Sequence, residues 1–306
     1  MKIVLKRLLS MIPVLLGVIL LTFILLRVVP GNPVSILLGE HYNQETIERL
    51  TSYMNLDKSV LEQFLSYAAG ILRGDLGVSY VMKKPVTDLI FQAFPYTVKL
   101  ALLSAAIAWF IGLGAGIVAA LKQNKLADHL FMGFSLAGVS VPIFMTALFL
   151  QYVFAFRIKV FPLSSDGSLI SLVLPAIALG WNSAGSIARM TRSSLVDVMQ
   201  ADYIDTAKAK GVRHSAVIFG HALKNSLLPV ITMMAMQLAS MMSGAVITES
   251  IFSIPGIGRL ATQAVQNRDM PLLQGTILFT TIIVILGNLI ADVLYGIIDP
   301  RIRRAV

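Results

Sequence analysis

Residues 197–229 read DVMQADYIDTAKAKGVRHSAVIFGHALKNSLLP, from Asp197 to Pro229, a polar island in a chain of which 56% is hydrophobic and only 13% charged. At helical spacing Val198, Tyr203, Ile204 and Ala207 fall near one side, with Asp202, Asp205 and Lys208 largely on the other. Such a helix can lie flat on a surface. Gly211 is expected to end it, because glycine reaches the left-handed backbone conformation that a helix terminus often needs. A second helical run, roughly Ser215 to Leu223, follows with Val217, Ile218 and Ala222 as its apolar strip. The pattern predicts a helix-turn-helix outside the bilayer between two spans. It serves either as a solvated connector or as a docking element for another protein.

Outward from the island, the 306 residues read as an all-α integral membrane protein, since this composition lies far outside the soluble range. There is no cysteine, so disulfide frameworks and thiolate metal sites are excluded. The net charge of +9 would suit nucleic acid, but the basic residues cluster at the ends of apolar runs, which is the membrane pattern.

The first apolar run, Leu8 to about Val29, is long enough to cross a ~30 Å hydrocarbon core and is too long for a signal-peptide core. It is expected to be retained as a span. Further spans are expected from Tyr96 to Leu121, Leu130 to Phe156, Leu169 to Ala188, Leu228 to Ile251 and Leu272 to Ile298, six with the first. The expected units are therefore the first span (1–29), a folded cap (30–95) with amphipathic helices at Glu45 to Met54 and Ser59 to Leu72, and a five-span core (96–306) that includes the island. About fourteen Lys and Arg lie on the island's side, among them Lys2, Lys6, Arg7, Lys122, Lys125, Lys208, Lys210, Arg213, Lys224, Arg301, Arg303 and Arg304, against about four, Arg157, Lys159, Arg259 and Arg268, in the short loops opposite. The positive-inside rule then places both termini and the island in the cytoplasm and the cap outside.

Several segments carry a resemblance. Asp205, Thr206, Ala207 and then Gly211 are similar to the E-A-A-x-x-x-G signature of permease subunits in binding-protein-dependent ABC importers, with Asp and Thr in place of Glu and the first Ala. The Leu228-Pro229 pair that closes the motif comes about five residues later than in the general consensus. GDLGVSYVMKKPV (Gly74 to Val86) resembles the GDLGxSxxxxxPV segment of dipeptide, oligopeptide and nickel permeases. GVSVPIF (Gly138 to Phe144) resembles their GxSxPxF, and SIPGIGRLATQAVQNRDMPLLQG (Ser253 to Gly275) resembles their outer loop between the last two spans.

The resemblance implies a six-span subunit of the type I ABC importer kind in a bacterial inner membrane. It also implies a second homologous permease subunit, an extracytoplasmic substrate-binding protein, and two cytoplasmic ATPase subunits that carry ATP and Mg. Asp202, Asp205, Thr206, Ala207 and Gly211 are the implied ATPase-coupling residues. No cofactor is expected in this chain.

The chain holds no G-x-x-x-x-G-K-[ST] loop, so it is not expected to hydrolyse ATP itself. His41, His129, His214 and His221 lack metal-ligand spacing. The alternative function is an ion-coupled secondary transporter, which needs ionisable residues inside the spans. Arg27, Lys99 and Glu249 sit at expected span ends, where snorkelling accounts for them, and Asp292 is either a functional acid or, as expected, a partner of Arg301, Arg303 or another basic residue nearby. An intramembrane enzyme has neither paired carboxylates nor HExxH nor GxSxG to support it. Asn182, Ser183 and Ser186 in the fourth span, Gln237, Ser240 and Ser243 in the fifth, and Asn288 in the sixth are weakly polar. They either line a wet pathway or let helices approach closely. Of these, Asn182, Ser186, Gln237 and Ser240 are the candidate pathway residues.

Overall fold

The computed structural model describes residues 2–28, 34 and 44–298. The helices are α1 (Lys2–Val28), α2 (Gln44–Tyr53), α3 (Val60–Leu72), α4 (Val86–Leu121), α5 (Leu126–Ser140), α6 (Ile143–Arg157), α7 (Ile170–Met199), α8 (Asp202–Ala209), α9 (His214–Met242), α10 (Val246–Ile251), α11 (Ile257–Gln266) and α12 (Met270–Ile298). Among the described residues α4, α7, α9 and α12 are each long and apolar enough to cross a bilayer, and the bent pair α5–α6 makes a fifth such unit. With α1 they correspond to the six expected apolar runs.

The fold is built around the α4–α7 pair. Gly112 and Gly116 of α4 let the two backbones close, since a Cβ at Gly112 would come within 2.7 Å of Ile187 and one at Gly116 within 2.6 Å of Thr191. Helices in lipid gain little from hydrophobicity when they associate, so close van der Waals approach is the force available to them. Ala108, Ala184, Ile187 and Val230 form the middle of this core, where α9 joins the pair. Leu100, Leu172, Leu174, Phe252 and Ile254 fill the end nearer the cap. Packing of α1 is against α12.

The two expected cap helices are present. Ser59 caps α3 by a reciprocal box: its hydroxyl accepts the Glu62 N–H at 3.3 Å, and its own N–H donates to Glu62 Oε2 at 3.0 Å. The same Ser59 hydroxyl and N–H hold the Glu62 carboxyl below the usual carboxylate range.

The apolar runs and the helices differ in five places. The second span begins at Val86, ten residues inside the expected cap, and carries Pro95 within it. The third is not one rod, because α5 and α6 meet at an angle of 100° across Val141 and Pro142; proline lacks the N–H an unbroken helix needs there. The fourth runs on past Ala188 to Met199, so the shaft leads directly to the island. The fifth ends at Met242, and Val246–Ile251 is a separate short helix after a turn. The second helical run of the island is not a separate helix. It is the start of α9, which continues from His214 through a π-helical turn at Val217–Ala222 and past Pro229.

Candidate functional site: the island and the opposite loops

The island is seated by one side chain. Ile204 of α8 is fully buried against Leu195 of α7 and Val217 and Ala222 of α9, with Ala207, Val198 and Met199 around it. Burial of an isoleucine contributes about 1.5–3 kcal/mol, which suffices to hold an eight-residue helix that would not persist alone. Polar links knit the same elements. Ser194 Oγ donates to the Ser226 carbonyl at 2.8 Å, tying α7 to α9. Asn225 Nδ2 donates to the Tyr203 hydroxyl at 3.1 Å, tying α9 to α8. Tyr203 therefore sits at the edge of the seat, 44% exposed, rather than within the apolar side as expected.

Gly211 ends α8 as its type and position require. Its φ is +76°, its N–H donates to the Lys208 carbonyl at 2.9 Å, and the Val212 N–H donates to the Ala207 carbonyl at 3.3 Å. That pair of bonds is the Schellman arrangement, in which glycine takes the left-handed position. Asp202 and Asp205 lie in the first turn and Lys208 in the last, the order the helix dipole favours. Asp202, Asp205 and Thr206 are exposed, Ala207 is half-buried, and the Asp205–Lys208 ion pair at 2.9 Å is open to solvent. The five expected coupling residues thus share one short helix and its terminating turn.

Directly behind the island lies an ion pair that sequence reasoning missed. Arg192 of α7 grips Asp128 of α5 side-on, with Nε to Oδ1 at 2.6 Å and Nη2 to Oδ2 at 2.7 Å. Asp128 Oδ2 also accepts the Asn124 N–H at 2.9 Å, which fixes the turn between α4 and α5. Arg192 is one turn from Leu195, so the grip and the Ile204 seat act on the same stretch of α7.

At the opposite end, two of the singled-out motifs meet in space. Asp269, in the loop before α12, is buried and accepts from the Ser79 hydroxyl, from the Tyr80 N–H at 3.1 Å and from the Val81 N–H at 3.2 Å. The GDLGVS segment is thereby latched to the segment before α12. Glu249 is not a snorkelling residue at a span end. It is fully buried, and its carboxylate accepts from the Thr97 hydroxyl at 2.8 Å and the Arg259 N–H at 3.0 Å. Gly256 makes room for it, because a Cβ there would fall 2.5 Å from the carboxyl carbon. A cavity of about 550 Å³ opens beside these segments, lined by Met82, Leu89, Tyr96, Gly256, Arg259 and Gln263.

The four candidate pathway residues are dispersed among different environments. Asn182 donates to the Gly138 carbonyl at 3.0 Å, a link between α7 and α5. Ser186 is half-buried, and Ser240 is exposed, with its carbonyl accepting from Ser243 Oγ at 2.7 Å. Gln237 is half-buried, its Oε1 enclosed without a hydrogen-bond partner among the described residues. Lys99 is exposed, its ammonium 5.7 Å from the Tyr96 ring centre. The side chains of Arg27 and Asp292, with Arg301 and Arg303, lie outside the described residues, as does His41.

Comparison with known proteins agrees with this architecture. The model of the binding-protein-dependent transport system inner membrane component family matches residues 112–304, and the model of its N-terminal part matches residues 1–101. The chain is 39% identical to the dipeptide transport system permease protein of Alkalihalophilus pseudofirmus, over 97% of this chain and 98% of that one. It is also 39% identical to the glutathione transport system permease protein of Pectobacterium atrosepticum, over 97% of each. Among solved structures, the fold is similar to the inward-facing MetNI methionine ABC transporter, with TM-score 0.56 at 13% identity over 70% of this chain and 97% of that chain. An amino acid ABC transporter follows at TM-score 0.51 and 19% identity, over 70% of this chain and 94% of that one. The chain belongs to the binding-protein-dependent transport system inner membrane component family, as a permease subunit of an ABC importer with the all-helical type I membrane fold.

Proposed function

We propose that this subunit forms, with a second homologous permease subunit, the translocation pathway of an ATP-driven importer for a small peptide or related solute. The substrate class rests on its relatives, which are permeases of dipeptide and glutathione systems. Two cytoplasmic ATPase subunits holding ATP and Mg dock on the island, and an extracytoplasmic binding protein delivers the solute at the cap end. Both termini and the island lie in the cytoplasm of a bacterial cell with the cap outside, as the distribution of Lys and Arg favours. ATP binding draws the ATPases and the two islands together and opens the pathway outward; hydrolysis resets it.

The observation that carries this reading is the seat of Ile204. A solvated connector needs no buried anchor, whereas an element that receives force from a partner must be fixed to the shafts it moves. Ile204 fixes α8 to α7 and α9 together and leaves Asp202, Asp205 and Thr206 outward. The ion-coupled alternative is not favoured, since the buried acids among the described residues, Asp128, Glu249 and Asp269, are each committed to internal donors.

Co-purification tests the proposal. The tagged chain, co-expressed with its permease and ATPase partners, should bring the ATPase with it, and Ile204→Asp should remain in the membrane without it. A wild-type complex that never retains an ATPase, with uptake driven by an ion gradient, would overturn the reading.

A further inference from the structure

We infer that α3 (Val60–Leu72) lies on the lipid surface at the cap end, with its free apolar stripe in the bilayer interface rather than in water. Phe64 and Tyr67 turn one side of α3 against Phe23 of α1, with ring centres 5.1 and 6.3 Å apart. About a quarter-turn round the helix, Leu61, Leu65 and Leu72 share a second stripe and are 66%, 57% and 89% exposed. Glu62 and Ser66 occupy the remaining, polar side. An apolar stripe of this size beside a polar face marks an interaction surface, and an interfacial helix has this division of faces.

Lipid is the occupant for two reasons. The stripe continues an apolar surface already in the membrane: Leu16, Leu20 and Ile24 of α1 are exposed along one side of that span, and Ile24 adjoins Phe23, where α3 is held. Cations also stand at both ends of α3, Lys58 just before it and Arg73 at its C-cap, both exposed and able to reach lipid phosphates while the leucines face the acyl chains. The inference is independent of ATP coupling and of the transported solute.

The chain has no cysteine, so each single cysteine is its one labelling site, and partner subunits with their own cysteines replaced keep the report unambiguous. Leu65→Cys in the full complex, carrying an environment-sensitive fluorophore, would be reconstituted into phosphatidylcholine vesicles with brominated acyl chains. The label should be quenched as strongly as one on Leu20→Cys of α1, while a label on Ser66→Cys stays bright. Leu61→Cys and Leu72→Cys repeat the measurement should one variant misfold. Equal brightness at positions 65 and 66 would overturn the inference. So would a Leu65→Cys label that lipid leaves bright and an added substrate-binding protein shields, since the stripe would then belong to a protein partner.

Discussion

Replacing Asp128 by Ala leaves Arg192 gripping nothing. Asp128 is 2% exposed, while the Arg192 side chain keeps 27% of its surface. Removing one partner of a fully buried pair costs about 3–5 kcal/mol, because the surviving charge is stranded. Partial exposure lets the guanidinium rehydrate and lowers this to about 2 kcal/mol. The Asn124 N–H also loses its acceptor, which adds about 1 kcal/mol. The total of about 3 kcal/mol is roughly a hundredfold in an equilibrium constant. Arg192→Met alone strands the carboxylate instead, but Asp128→Ala with Arg192→Met removes both charges and should recover most of the loss. The assay is the folded fraction of purified protein across a thermal ramp, read by size-exclusion chromatography, for the wild type, both single variants and the double variant. Wild-type stability in Asp128→Ala, or a double variant as weak as the two single losses added, would refute the reasoning.

The topology predicts that Asp75→Cys on intact cells is labelled by an impermeant thiol reagent and Lys208→Cys is not; the reverse pattern would invert the orientation. If Asn182 and Gln237 line the pathway, Asn182→Ala and Gln237→Ala should lower uptake of two different substrates by similar factors, because a lining residue affects passage rather than choice; a switched preference measured in parallel uptake assays would place selection in this subunit. Glu249→Gln turns an amide N–H₂ or a single acceptor toward donors from Thr97 and Arg259, and should cost about 1–3 kcal/mol in the same thermal assay.

Elements that depend on local chemistry were legible in the sequence: the class of protein, the cap helices, and the turn at Gly211, where glycine's left-handed backbone needs no knowledge of neighbours. Hydropathy was blind to direction, so the 100° bend at Val141-Pro142 disappeared inside one apolar run. It also equated a change of composition with a change of structure. α9 runs from the polar island into the lipid without interruption because helical hydrogen bonding continues across that border, and Pro229 within it did not end the helix. The pairs that close over long separations, Asp128 with Arg192 and Ser79 with Asp269, carry no local signature. Ser79 and Asp269 did lie within motifs already singled out, and two polar residues in two such motifs were the signal available. Glu249 was misjudged because an acid near the end of an apolar run looks the same whether it snorkels or is enclosed.

The coupling role of the island is tested most directly by the ATPase activity of the reconstituted complex, with and without loaded binding protein, in Gly211→Pro. A Cβ at Gly211 would meet no atom within 4 Å outside its chain neighbours, so the substitution acts through the local backbone rather than through packing. Proline holds φ near −65° where the turn needs +76°, and removes the N–H that bonds the Lys208 carbonyl. Membrane insertion should survive, since the change lies between α8 and α9, while stimulated ATPase activity and uptake both fall. Asp205→Ala, which breaks only an exposed pair worth about 0–1 kcal/mol, should do far less. Normal stimulation and normal uptake in Gly211→Pro would contradict the account and leave the island a connector.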